Sequence, residues 1–152
     1  MGGGDDMRTA HVVWTGRQGF TAHNGRGHQV TMDVPEPTSG DAGATPKELV
    51  LMGLGGCTGM DVVSILHRMR QPLESFALDL ECEDDQEHPR VFRRVHITYR
   101  LNGQGLDPDR AYRAVQLSME KYCGVSAMIA HTARITWTVE VNGKPYTAAP
   151  QS

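Results

Sequence analysis

Between Leu49 and Leu66 the chain carries only three conventionally polar side chains, Thr58, Asp61 and Ser64, and no single face is wholly polar. A helix that is apolar nearly all round has to be buried nearly all round. Its start is legible. Thr45 is a good N-cap, Pro46 suits the first helical position, and Glu48 completes a Thr-x-x-Glu capping box. Gln71-Pro72 stops it, so the sequence predicts one helix from Pro46 to about Arg70. The same length would reach across a bilayer, but Asp61 near the middle and the glycines Gly53, Gly55, Gly56 and Gly59 weigh against a membrane span. Burying such a helix from all sides is difficult for one small sheet. It is easier if a second copy of the chain packs against it, so an obligate homodimer is expected. Each interior glycine costs ~1 kcal/mol relative to alanine. Four together point either to tight packing or to room for a small substrate.

Strands flank this helix. Residues 8–15 and 27–33 read as strands with a glycine-containing turn region between them, contributing Val12, Trp14, Phe20 and Val30 to apolar contacts. The prolines and glycines of residues 34–45 make that segment a loop. Two further strands, 75–83 and 91–101, are joined by the charged turn Asp84 to Arg90. Asp107 caps a second helix running to about Tyr122, Gly124 breaks it, and a short third helix covers about 125–131. A final strand, Arg134 to Val141, alternates cleanly. The order is α+β rather than repeating βαβ. A single domain over residues 8–145 is expected, between a disordered tail at 1–7 and a small polar tail at 146–152.

A formal net charge of -3 with scattered basic residues gives no reason to expect nucleic acid. Arg90, Arg93 and Arg94 read as a solvated strand face. The polar, acidic start has no apolar signal segment, so a cytoplasmic location is expected. The three cysteines, at 57, 82 and 123, do not form a secreted disulfide framework and suit a reducing compartment. No CxxC or HxxxH spacing supports a metal site, and Gly53-x-Gly55-x-x-Thr58 fails as a dinucleotide fingerprint. Neither metal nor cofactor is expected.

The chemistry therefore rests on thiols. Cys57, in Gly-Gly-Cys-Thr-Gly, is either an inert packed sulfur or one that the glycines leave accessible. Cys123 lies at a helix break, where unpaired N–H groups favour a thiolate. Cys82 stands between Glu81 and Glu83, which disfavour its thiolate, and is given no role. A Cys–His hydrolase would need a nearby histidine, and His67 is roughly 15 Å along the helix from Cys57 at helical rise.

At these cysteines the sequence resembles the OsmC/Ohr family. Thr45-Pro46-Lys47-Glu48-Leu49, followed by small residues and Gly56-Cys57, is similar to the start of that family's central helix. Lys121-Tyr122-Cys123-Gly124-Val125-Ser126 is similar to its second cysteine motif, and both look closer to the YhfA-like branch than to the hydroperoxide-specialised ones. The resemblance spans about residues 8 to 141. It implies an intertwined homodimer with antiparallel sheets around long buried central helices. It also implies a thiol peroxidase for organic hydroperoxides in oxidative stress defence, with Cys57 attacking, Cys123 resolving and a dithiol, such as a lipoyl group, as reductant. The family's peroxidases carry a glutamate where this chain has Lys47; Glu48 stands one position on. Their active-site arginine comes from the segment before the helix, for which Arg26 and Arg17 are the candidates. The alternative on the same scaffold is a non-enzymatic redox sensor or small-ligand-binding protein.

Overall fold

The computed structural model describes residues 7–147. Contacts group the chain into two compact units, Met1–Val50 and Leu51–Ser152, within the span expected as one domain. Residues 1–6 of the expected N-terminal tail and 148–152 of the C-terminal one lie outside the described residues.

The first unit is a three-stranded antiparallel sheet of β1 (Ala10–Gly16), β2 (Gly19–Asn24) and β3 (Gln29–Met32). The sequence reading missed β2 and placed a turn region there, because Gly16, Gly19 and Gly25 punctuate so short a run. Pairing puts Val12 opposite Ala22 opposite Val30, and Trp14 opposite Phe20 opposite Met32. Side chains alternate across a sheet, so these six residues form one wholly apolar face. Yet Trp14 is 61% exposed and Val12 51% exposed in the single chain. Buried Asp33 ties down the following loop by accepting the N–H groups of Val34 (2.8 Å) and Ala42 (3.0 Å). The Ser39 hydroxyl, these amides and Arg17 hold its carboxyl below the ordinary value. Gly43 is required where this loop presses on β3, since a Cβ there would meet the Thr31 carbonyl oxygen at 2.2 Å.

Helix α1 (Pro46–Arg68) begins with the expected capping box: Glu48 N–H donates to Thr45 Oγ1 (3.2 Å) and Thr45 N–H to Glu48 Oε1 (2.8 Å). By length and composition it could cross a membrane, and 39% of its most apolar stretch is buried. Leu54, Val62, Ile65 and Leu66 enter the core, while Met52, Met60 and Val63 stay exposed. Burial all round is thus not achieved within one chain.

The second unit's sheet is ordered β4 (Ser75–Asp84), β5 (Phe92–Asn102), β6 (Arg134–Val141), β7 (Lys144–Pro145). Its β4–β5 pair is antiparallel, but β5 and β6 run parallel, which corrects the expectation of antiparallel sheets throughout. The cause is the long connection through α2 (Pro108–Leu117), a π-helical turn (Ser118–Tyr122) and α3 (Gly124–Ile129). Such a crossover carries the chain back to the end where β5 began. The architecture is α+β with two sheets. Val95, Ile97, Tyr99 and Leu101 of β5 form the centre of the core, with Ala111, Ala114 and Val115 from α2. On the other face of the sheet Arg93 pairs with Glu83, and Arg100 with Asp79 and Glu140. Exposed pairs of this kind add only ~1 kcal/mol or less each. Tyr146, expected in a polar tail, is half-buried, packs on Tyr112 with ring centroids 4.7 Å apart, and donates to Asp109. That bond to a carboxylate pushes the Tyr146 phenol up to about 12.

Candidate functional site

Cys57 occupies the middle of α1, half-buried, with Gly56 before it and Thr58 after it. The surrounding glycines divide into two kinds. A Cβ on Gly55 would meet Leu80 at 3.0 Å and one on Gly59 would meet Leu78 at 3.4 Å, so these two let α1 settle on β4. At Gly53 and Gly56 a Cβ would face open space. Gly55, Gly56 and Gly59, with Met52, Met60 and Leu80, line an apolar groove of about 810 Å³ beside the helix.

Cys123 comes to Cys57 from a different part of the chain. It ends the π-helical turn, its N–H donating to the Ser118 carbonyl (2.8 Å), and it caps α3. Its Sγ accepts the Ser126 N–H (3.3 Å), and the Ser126 hydroxyl donates to its carbonyl (3.0 Å). The fold makes the two thiols neighbours, Cys57 being near enough to act on the Cys123 thiol. The helix start was expected to favour a thiolate at Cys123, but burial wins: the residue is 3% exposed, and its thiol is raised above the ordinary value. Desolvation is the largest cause; the Ser126 contacts pull the other way, and the neighbouring Cys57 raises it further.

Behind the thiols lies a chain of buried hydroxyls. Ser118 Oγ–H donates to Asp61 Oδ2 (2.9 Å); Thr58 Oγ1 is 2.7 Å from Ser118 Oγ and 2.7 Å from Tyr99 Oη. A carboxylate only accepts, and each hydroxyl has one proton to give. Ser118 spends its proton on Asp61, so it must accept from Thr58. Thr58 must then accept from Tyr99. Burial raises the Tyr99 phenol well above its ordinary value, which keeps its proton available to donate. These four residues were not expected at the site. Thr58 and Asp61 were visible as polar interruptions of an apolar helix, and buried polar groups need partners.

Of the other expected residues, Glu48 sits in the capping box and Lys47 beside it in the first turn of α1. Arg26 lies exposed in the β2–β3 turn, its N–H on Asn24 Oδ1 (3.0 Å). Arg17, in the β1–β2 turn, donates Nη2–H to the Pro37 carbonyl (2.8 Å). Cys82 faces the same side of β4 as Leu78 and Leu80, and its thiol donates to Asp84 Oδ1 (3.7 Å). Among the described residues no group of three or more His, Cys, Asp or Glu could hold a metal ion.

Residues 38–138 match the model of the family described as OsmC-like protein. Protein YhfA of Escherichia coli strain K12 is 39% identical over 132 residues, covering 87% of this chain and 96% of its own. A solved hypothetical protein from Aquifex aeolicus VF5 is 28% identical with a TM-score of 0.76, over 90% of this chain and 98% of that one. An organic hydroperoxide resistance protein OsmC from Legionella pneumophila shares the fold at 20% identity and a TM-score of 0.65, over 89% of this chain and 97% of its own.

Proposed function

The chain belongs to the OsmC-like family, and from that premise we propose that it is a thiol-dependent peroxidase for organic hydroperoxides. The observation that carries the reading is that the fold makes the Cys57 and Cys123 thiols neighbours, Cys57 half-buried and Cys123 closed off from solvent. The Cys57 thiolate attacks the terminal peroxide oxygen, and the O–O bond breaks. An alkoxide leaves and takes a proton to become the alcohol, while Cys57 becomes a sulfenic acid. The Cys123 sulfur then attacks the Cys57 sulfur, the S–O bond breaks, and the hydroxide leaves as water after taking a proton. An external dithiol, a lipoyl group among the candidates, restores both thiols by exchange and is itself oxidised to a disulfide. The substrate class is supported by the description of the Legionella fold relative. Chemistry that starts from two thiols suits the cytoplasm, and it calls for no metal, haem or flavin.

The working unit is a homodimer in this reading. Two apolar surfaces stand bare in one chain: the Val12, Trp14, Phe20 and Val30 face of the first sheet, and the Met52, Met60 and Val63 side of α1. Leaving large apolar side chains in water costs about 1.5–3 kcal/mol each relative to burial, and a second copy offers matching apolar surfaces. Sedimentation of the purified protein should give a dimer that Trp14→Asp dissociates; a soluble monomer of the unaltered chain would contradict this.

One observation favours the alternative of a non-enzymatic redox sensor. The Glu48 carboxylate accepts the Thr45 N–H at the helix cap, and Lys47 stands where a peroxidase of the family carries glutamate. Consumption of an organic hydroperoxide with a dithiol reductant, beside a Cys57→Ser control, separates the two. Sustained turnover that the variant loses is expected. Reversible disulfide formation without turnover would select the sensor.

A further inference from the structure

The peroxidase steps use the two sulfurs, yet the structure also commits a half-buried carboxylate and three hydroxyls to the space behind them. Placing a carboxylate in an apolar helix is costly unless it is hydrogen-bonded. Asp61 stands four residues after Cys57, one helical turn on, and so shares its face of α1. Its bond goes to Ser118.

Ser118 is the hinge of the arrangement. Through its side chain it joins Asp61 and Thr58, both on α1. Through its carbonyl it holds the Cys123 N–H at 2.8 Å across the π-helical turn, five residues on. Thr58 follows Cys57 directly. The network therefore ties the backbone that carries one sulfur to the backbone that carries the other. The π-helical turn is an irregular way to leave α2, and such turns are held by specific contacts more than by local propensity.

We propose that Asp61 and Ser118 are positioning residues for the disulfide-forming step, fixing the π-helical turn so that the Cys123 sulfur is delivered to the Cys57 sulfur. The inference rests on the assignment of these cysteines as a redox pair. Asp61, as the acceptor-only end, sets the direction of every proton in the chain and so holds Ser118 in one rotamer. Without it the Ser118 hydroxyl turns freely and the turn loses its anchor to α1.

The test uses the intact protein equilibrated with reduced and oxidised dithiothreitol, reading the effective concentration of the Cys57–Cys123 disulfide by thiol titration and mass spectrometry. Asp61→Leu, which removes the acceptor at similar size, and Ser118→Ala should each lower it about tenfold or more, since small displacements of reacting groups carry such costs. The double variant should fall no further than the larger single effect, as coupled residues are not additive. Ser118→Thr, which keeps a hydroxyl, should recover most of the loss. Thermal melting of each variant checks that the fold survives, and Asp61→Leu serves if Ser118→Ala does not fold. An effective concentration unchanged in folded Asp61→Leu overturns the proposal, as does a wild-type protein that forms no such disulfide. The exchange needs no peroxide. A wild-type disulfide that depends on Asp61, in a protein that consumes no hydroperoxide, upholds the positioning and sinks only the peroxidase.

Discussion

Cys57 and Cys123 are neighbours in the fold, yet the fold treats them differently. Cys57 is carried in mid-helix, its backbone groups spent on the helix ladder, with Gly56 leaving open space beside it. Cys123 is carried where a helix ends and another begins, is closed off from solvent, and has Ser126 N–H on its sulfur. A sulfur that must meet an incoming peroxide needs access. One that meets only its neighbour needs placement, and is best kept protonated until the neighbour has been oxidised. Burial raises Cys123 and so serves the second task. In the proposed reaction this asymmetry suits Cys57 as the attacking sulfur and Cys123 as the resolving one.

Exchanging the two residues for serine breaks the comparison most sharply. Cys57→Ser should cut hydroperoxide consumption by about a thousandfold or more, the scale on which removing a nucleophile acts. Cys123→Ser should leave the first encounter with peroxide intact. A sulfenic acid should then accumulate on Cys57, trappable by a 1,3-dicarbonyl reagent, while steady turnover falls about tenfold to a hundredfold for want of a positioned partner. If Cys123→Ser abolishes the first oxidation and Cys57→Ser does not, the roles are reversed.

A smaller effect sharpens the same contrast. The raised Cys123 thiol must lose its proton to attack, so disulfide formation after a peroxide pulse should keep accelerating as pH passes the ordinary thiol value of 9.0. The sign for stability follows. A group whose folded value is raised contributes fully below the unfolded value and loses that contribution as pH rises through the folded one. Unfolding midpoints should therefore fall above pH 9.0, and less so in Cys123→Ser. Stopped-flow and melting curves across that range check both. A disulfide rate already flat at neutral pH would show the thiol is not raised.

What the sequence disclosed and what it hid divide along local and non-local lines. The start of α1 was legible because Thr45 and Glu48 satisfy one another within three residues. The last strand was legible because period-two alternation is written in the residues themselves. The parallel pairing of β5 with β6 was not, since parallel and antiparallel strands share that alternation. The rise in Cys123 was missed because helix ends announce themselves in sequence and burial does not. Asp61 could be seen as an anomaly in the apolar helix, but Ser118 lies far along the chain and only the fold joins them. The apolar character of α1 was visible as a pattern, whereas the shared face of β1, β2 and β3 was not, since it depends on a strand that the glycines hid.

Cys82 offers the smallest expected effect and a control on the whole comparison. It lies on the core side of β4, away from the glutamates that flank it in sequence, and its thiol donates to Asp84. Alternation along the strand turns Glu81 and Glu83 to the opposite face, so their nearness in sequence is not nearness of side chains. Cys82→Ser keeps a donor of similar size, and should shift stability by about 1 kcal/mol or less and leave turnover within about twofold. Peptide mapping after a stoichiometric pulse of organic hydroperoxide should find Cys57 and Cys123 joined and Cys82 still a thiol. Finding Cys82 in the disulfide would mean that nearness in the fold does not decide which sulfur resolves, and the contrast between a half-buried attacker and a held, buried partner would lose its force.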